Sequence, residues 1–339
     1  MVYIYSSFLG CLKQVQWLLL AVLLWLPAQS AAQSYSAEDL IAYMLQETDL
    51  SASYVRQHIQ NAQFDADLIR KMKTPYEARP YADYRPLFIN ERMKKRALAY
   101  LAEHKAIFAA AQAKYGVAPE MITAILGMET HFGSNRGNDR VLDALFTLST
   151  GYARRAKFFR GELKAFLLLC QEEGLNPQEV KGSYAGAFGT TQFIPTSFRA
   201  YAVDANGDGK RDVWFTPQDI IFSVANYFKQ HKWTDEKTVA HWIPQPKSHA
   251  IIQKALKDET RKWRVLADFE QVGIQKPSSA WNSDEKVALI TRKTATGERV
   301  LLVNRNFYAI TRWNRSWNYA LAATELAFML GNAQCEVGE

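Results

Sequence analysis

The chain has 339 residues, enough for about two domains. Its 48% hydrophobic and 22% charged residues exclude wholesale disorder and a fibrous fold. The formal charge of +7 suits an anionic polymer or surface, but the basic residues are scattered and form no nucleic-acid tail, so no nucleic-acid partner is expected. Nine Trp and sixteen Tyr suit either a carbohydrate groove, where rings stack on sugar faces, or a generous core. Cys11, Cys170 and Cys335 are too few for a disulfide framework, and no paired-His zinc spacing occurs among the six His.

In chain order, Lys13 precedes an apolar run from Trp17 to Leu26, which Pro27 ends. Ser30-Ala31-Ala32 then offers small residues before Gln33. This reads as a signal peptide over residues 1–32, cleaved after Ala32, and so as export to the periplasm. The run is short of the roughly twenty apolar residues of a membrane span; the competing reading is an uncleaved anchor. Leu9-Gly10-Cys11 is like a lipid-attachment site but lies on the wrong side of the run, so lipid anchoring is not expected. Cys170 lies in the run Leu167-Leu168-Leu169-Cys170 and reads as a buried thiol.

Ser36-Ala37-Glu38-Asp39 is a capping box for a helix through Leu45. Helices follow near Ser51–Asn61 and Phe64–Lys73. Pro75, Pro80 and Pro86 interrupt the pattern, since proline lacks an amide donor. One long helix is predicted from about Asn90 to Lys114, with Gly116 as its stop. From Pro119, Ile122, Ile125, Leu126 and Glu129 fall on one helical face. Further helices are predicted from Ala156 to Cys170, from Thr216 onward, and from Tyr319 to Leu330. Between Pro244 and Tyr308, Trp263–Leu266, Val287–Thr291 and Val300–Val303 read as short strands, the last two joined by a turn at Thr296-Gly297.

Glu129 lies in Gly127-Met128-Glu129-Thr130-His131-Phe132-Gly133. A carboxyl ending an apolar face is desolvated, which favours its protonated form and suits a general acid. From spacing alone, the plainer reading is a helix-end Glu paired with Arg or Lys. Lys181 to Pro195 is rich in Gly and Ala, which lets backbone approach a ligand closely, or simply forms a tight loop. Its Gln192 could hold a sugar amide or hydroxyl.

Glu-Thr-x-x-Gly from Glu129, followed by Gly-Ser-x-Ala-Gly-Ala-x-Gly-x-x-Gln-Phe-x-Pro-x-Ser from Gly182, resembles the lytic murein transglycosylase B family. The resemblance continues through Leu142–Leu145, Arg154-Arg155, Gly161–Leu163, Ser223–Phe228, Asn306–Asn314 and Tyr319-Ala320. It implies a mainly α (α+β) fold: a lysozyme-like helical core, an added N-terminal helical domain and a small inserted β domain. The boundaries expected are 33–114 for the N-terminal helical domain, 115–243 for the core with its loop, 244–305 for the β domain, and 306–339 for the return to the core.

The resemblance also implies a function. Members cleave peptidoglycan glycan strands between N-acetylmuramic acid and N-acetylglucosamine without water, leaving 1,6-anhydro ends. Glu129 matches the single catalytic acid/base. Ser183, Gln192, Arg155, Tyr152, Tyr227 and Tyr319 match substrate-binding positions, each with a bland reading as a core or surface residue. A two-carboxylate hydrolase would need a second acid nearby; Asp139 and Asp143 follow Glu129, unplaced. The rival readings are a water-using muramidase of the same fold and a non-catalytic peptidoglycan-binding scaffold. A monomer is expected, with cell-wall synthesis or remodelling proteins as further partners.

Asp204, Asn206, Asp208, Lys210 and Asp212 occupy positions 1, 3, 5, 7 and 9 of an EF-hand-like loop, with Gly209 at position 6. Position 12 is Phe215 instead of an acidic residue. The family has such a calcium loop here, so weak, structural Ca2+ is expected and no organic cofactor. The alternative is a metal-free Asx/Gly turn.

Overall fold

The structure is a computed structural model that describes residues 35–72, 79–234, 239–244, 246, 248–277, 281–294 and 297–331. The predicted signal peptide, Cys11, Cys335 and Thr296 lie outside the described residues.

Helix α1 (Ala37–Glu47) opens with the expected capping box: the Ser36 hydroxyl accepts from the Asp39 amide at 3.1 Å, and the Asp39 carboxylate accepts from the Ser36 amide at 2.9 Å. Next come α2 (Ala52–Gln60), α3 (Ala66–Lys71) and, after Pro80, the short α4 (Tyr81–Tyr84). The single helix predicted from Asn90 to Lys114 is in fact two, α5 (Glu91–Glu103) and α6 (Lys105–Tyr115). The chain leaves helical geometry at His104, with φ −109° and ψ 24°. The break re-aims the second helix. Met93 and Ala97 of α5 and Phe108 and Ala111 of α6 are thereby all buried. Gly116 ends α6 at φ 71°, a left-handed conformation that favours glycine.

Helix α7 (Pro119–Thr130) is the centre of the molecule. Every residue from Met121 to Met128 is buried, so its apolar surface runs all round instead of along one stripe. It is followed by β1 (Asp139–Arg140), α8 (Val141–Gly151) and α9 (Ala156–Glu173), then β2 (Lys181–Gly182). Strands β1 and β2 pair antiparallel, Asp139 opposite Gly182. Helices α10 (Pro195–Tyr201) and α11 (Pro217–Gln230) complete this part. Cys170, in α9, is a buried free thiol, and burial pushes its pKa up.

A four-stranded antiparallel sheet comes next. It contains β3 (Ala240–Ile243), β4 (Arg264–Val265), β5 (Lys286–Thr294) and β6 (Gly297–Val303), in the order β3-β6-β5-β4. Helices α12 (Ala250–Asp258) and α13 (Leu266–Glu270) lie within it in sequence. Three features differ from the sequence reading. The first strand begins before Pro244. A helix stands where only strands were read. Leu266 starts α13 instead of extending a strand, because Leu266 and Phe269, three apart, both bury in a small second core. Alternation along the strands divides the side chains: Ala288, Ile290, Leu301 and Val303 face the main core, while Val287, Leu289, Val300 and Leu302 face the second. The chain then returns through α14 (Arg305–Trp313) and α15 (Trp317–Met329), and α15 packs against α7. The fold is mainly helical with small sheets, as expected.

Candidate active site

Glu129 occupies the last turn of α7 and is half-buried, unlike the eight buried residues before it. Its Oε1 accepts two hydrogen bonds, from the Tyr319 hydroxyl at 2.6 Å and from the Trp313 indole N–H at 2.8 Å. Ser316 caps α15 by accepting from the Tyr319 amide, which fixes the tyrosine in the first turn. Beyond Glu129 the backbone turns sharply. His131 and Phe132 both hold left-handed conformations, with φ 51° and 60°. The buried Thr130 hydroxyl donates to the Thr190 carbonyl at 2.9 Å and accepts from the Gly133 amide at 2.9 Å. The end of α7 is thus tied to the glycine-rich segment.

In that segment Ser183 and Gln192 serve their own loop. The Ser183 hydroxyl accepts from the amides of Ala185 and Ala187. The Gln192 side-chain amide donates to the carbonyls of Arg136 and Gly189, each at 3.0 Å, and its backbone sits at φ 50°. The next residue, Phe193, carries the segment to the Glu129 cluster: its ring lies 5.2 Å from Trp313 and 6.1 Å from Tyr227. Tyr227 meets Trp313 edge-on at 4.6 Å, and burial, with Tyr201 nearby, pushes its hydroxyl pKa up.

The geometry therefore brings Glu129, Tyr319, Tyr227 and the Gln192-Phe193 turn together around Trp313. Tyr152 and Arg155 pack differently. Tyr152 lies against Phe159, and the exposed Arg155 guanidinium stands over Phe158 at 4.2 Å. Sequence reading passed over Trp313 as a site residue. It is 184 positions from Glu129, and no local spacing marks it. Glu162 is the other notable acid. It is buried, accepts from the Thr196 amide and hydroxyl, and burial raises its pKa.

The cation loop folds as a compact turn, with Gly207 and Gly209 left-handed. Asp204 accepts from the amides of Gly207, Asp208 and Gly209. Asn206 and Asp208 are joined at 2.9 Å. Asp212 turns toward the amides of Trp214 and Phe215 and the Thr216 hydroxyl. Oxygen donors of this kind suit a hard cation such as calcium. Phe215 supplies none: it is 72% exposed and lies under the Arg136 guanidinium. Among the described residues, no three His, Cys, Asp or Glu side chains form a ready metal cage. The sequence reading missed Asp219. This fully buried carboxylate accepts from the amides of Ala205 and Asp212, each at 2.8 Å, and so clasps both ends of the loop. Burial raises its pKa against those amide donors. Among the described residues, no helix is long and apolar enough to cross a membrane.

Residues 32–328 match the family model described as Transglycosylase SLT domain. The chain is 37% identical over 243 residues to membrane-bound lytic murein transglycosylase B of Escherichia coli K12. That match spans 72% of this chain and 65% of the relative's length. Among solved structures, catenated lytic transglycosylase SltB1 of Pseudomonas aeruginosa superposes with TM-score 0.80 at 34% identity, covering 89% of this chain and 99% of that one. Escherichia coli Slt35 in complex with calcium gives 0.78 at 31% identity, covering 90% and 95%. Pseudomonas aeruginosa SltB3 in complex with NAG-anhNAM-pentapeptide gives 0.77 at 30% identity, covering 89% and 81%. With a family match over most of its length, the chain belongs to the transglycosylase SLT domain family.

Proposed function

We propose that this protein is a lytic transglycosylase acting on peptidoglycan glycan strands, with Glu129 as its single acid/base. The observation that carries this reading is the placement of Glu129. A half-buried carboxyl follows eight buried residues at the end of a helix, and its Oε1 accepts from Tyr319 and Trp313. Glu129 protonates the glycosidic oxygen as the bond from the muramoyl C1 breaks, and the electron pair leaves with that oxygen. The muramoyl C6 hydroxyl then attacks C1 and gives its proton to the Glu129 carboxylate. The product carries a 1,6-anhydro ring, and the enzyme returns to its starting state. The substrate's own N-acetyl oxygen can relieve positive charge at C1 between the steps. The anhydro sugar named in the SltB3 complex supports this outcome.

Ser183, Gln192 and Tyr227 contribute to binding the glycan strand, and Arg155 and Tyr152 meet its carboxylates and sugar faces. Tyr319 acts on Glu129 as much as on substrate. The side chains of Asp204, Asn206, Asp208 and Asp212 and the Lys210 carbonyl hold a weakly bound calcium that stiffens the loop between α10 and α11. The calcium complex of Slt35 supports that assignment. The protein works in the periplasm after loss of residues 1–32, as a monomer, beside other wall-remodelling proteins. Mass spectrometry of muropeptides after digestion tests the reading. Anhydro ends are expected, and reducing ends would make the protein a water-using muramidase.

A further inference from the structure

We infer that Trp313 is a positioning residue that assigns the two oxygens of Glu129 to different tasks: Oε1 is the anchored oxygen, and Oε2 carries the proton. The inference rests on the role proposed for Glu129 and goes beyond it.

Oε1 receives two donors, the Tyr319 hydroxyl at 2.6 Å and the Trp313 indole N–H at 2.8 Å. These partners differ in kind. A phenol both donates and accepts, so it can rotate to meet a protonated oxygen. An indole N–H only donates. A proton on Oε1 would therefore have to take the place of one of these two donors: the Tyr319 hydroxyl would give up its donation and turn, and the Trp313 indole has no way to yield. Its ring stacks on Phe228 at 5.7 Å and 15°, meets Tyr227 edge-on at 4.6 Å, and packs against Phe193 at 5.2 Å. Groups from α11 and the glycine-rich segment thus fix both the plane and the direction of the N–H.

The proton of the acid form consequently resides on Oε2. That oxygen releases it to the glycosidic oxygen and takes back the C6 hydroxyl proton. One oxygen performs both transfers while the other stays fixed, so the carboxyl need not flip between steps.

The test uses Trp313→Phe, which keeps an aromatic ring among Phe193, Tyr227 and Phe228 but removes the N–H. Turnover, kcat, is expected to fall by about 10- to 100-fold, the usual weight of a hydrogen bond to a charged group. KM for glycan strands should stay within about twofold, because the bond orients the acid and touches no substrate. A packing defect alone would not spare KM and folding while lowering kcat. The second readout is the indole 1H–15N resonance of Trp313 in the labelled full chain, identified by its absence in the variant. It should move upfield in Glu129→Ala, which removes the oxygen that the indole N–H meets. Wild-type kcat in a folded Trp313→Phe, or an unmoved indole resonance in Glu129→Ala, would overturn the inference. Should Trp313→Phe fail to fold, the resonance in Glu129→Ala decides, with the nine Trp assigned by other single substitutions. Loss of turnover in Glu129→Gln with full turnover in Trp313→Phe defeats the positioning role alone. Persisting anhydro release in Glu129→Gln defeats the reading beneath it.

Discussion

The Ser183 amide donates to the Ala187 carbonyl at 2.7 Å, closing the glycine-rich segment into a tight loop beside the end of α7. Gly182 precedes that bond, paired with Asp139 across the β1–β2 ladder. A Cβ on Gly182 would overlap the Ala187 carbonyl oxygen and crowd Val141. Glycine is needed here for space.

Gly182→Ala should therefore destabilise the fold by about 1–3 kcal/mol, the usual cost of overpacking a filled site. Urea unfolding reads this as a lower midpoint with an unchanged slope. An unshifted midpoint would mean that the loop has room to relax.

Three histidines should make the fold acid-sensitive. His58 is buried, and its Nδ1 accepts from the Gln178 side-chain amide at 3.3 Å, which requires a neutral ring. Burial holds its pKa below the ordinary 6.5. Burial does the same at His131, aided by Arg96 and Arg92, and at His231, aided by Arg312 and opposed by the Tyr227 carbonyl. Below pH 6.5 the unfolded chain then binds more protons than the folded one. The stability present above that pH is lost as pH falls. The melting temperature should drop between pH 7 and pH 5, and His58→Gln should flatten part of that slope. An unchanged slope in His58→Gln would show that this ring is not a source of it.

Much of this architecture is written locally, and the rest is not. The Ser36–Asp39 box, the stop at Gly116 and the apolar positions of α7 are readable because each depends on neighbours within a turn or two. The break at His104 is not readable that way. Nothing in its own residue type forces it; it follows from burying Met93 and Phe108 on one core. Helix α12 was hidden because its apolar face is narrow, with only Ile252 and Ala255 buried. Glu129 stood out through its motif, but Trp313 acquires its meaning only when α14, which follows the sheet in sequence, brings its indole to Glu129. Asp219 reads as an ordinary helix-start acid. Its clasp on Ala205 and Asp212 exists only in three dimensions.

Calcium should raise the melting temperature. A ligand at about 100 times its Kd adds about 2.7 kcal/mol. For a chain of this size that is a rise of several degrees. Asp208→Ala should abolish the rise while leaving the metal-free melting temperature little changed, because Asp208 is exposed. If calcium leaves the wild-type melting temperature where it was, the loop is only a turn.

The most direct measurement pairs wild type with Glu129→Gln in one digestion of intact peptidoglycan, read by mass spectrometry of the released muropeptides. Glutamine keeps the side chain's size and its acceptor oxygen for Tyr319 and Trp313, but it donates no proton as an acid. Acid–base assistance contributes about 100- to 10,000-fold. Wild type should release fragments ending in 1,6-anhydro-muramic acid. Glu129→Gln should release them at least about 100-fold more slowly while still binding glycan strands. Anhydro release from Glu129→Gln at near wild-type rate would contradict the assignment of the acid, and reducing ends from wild type would contradict the reaction itself.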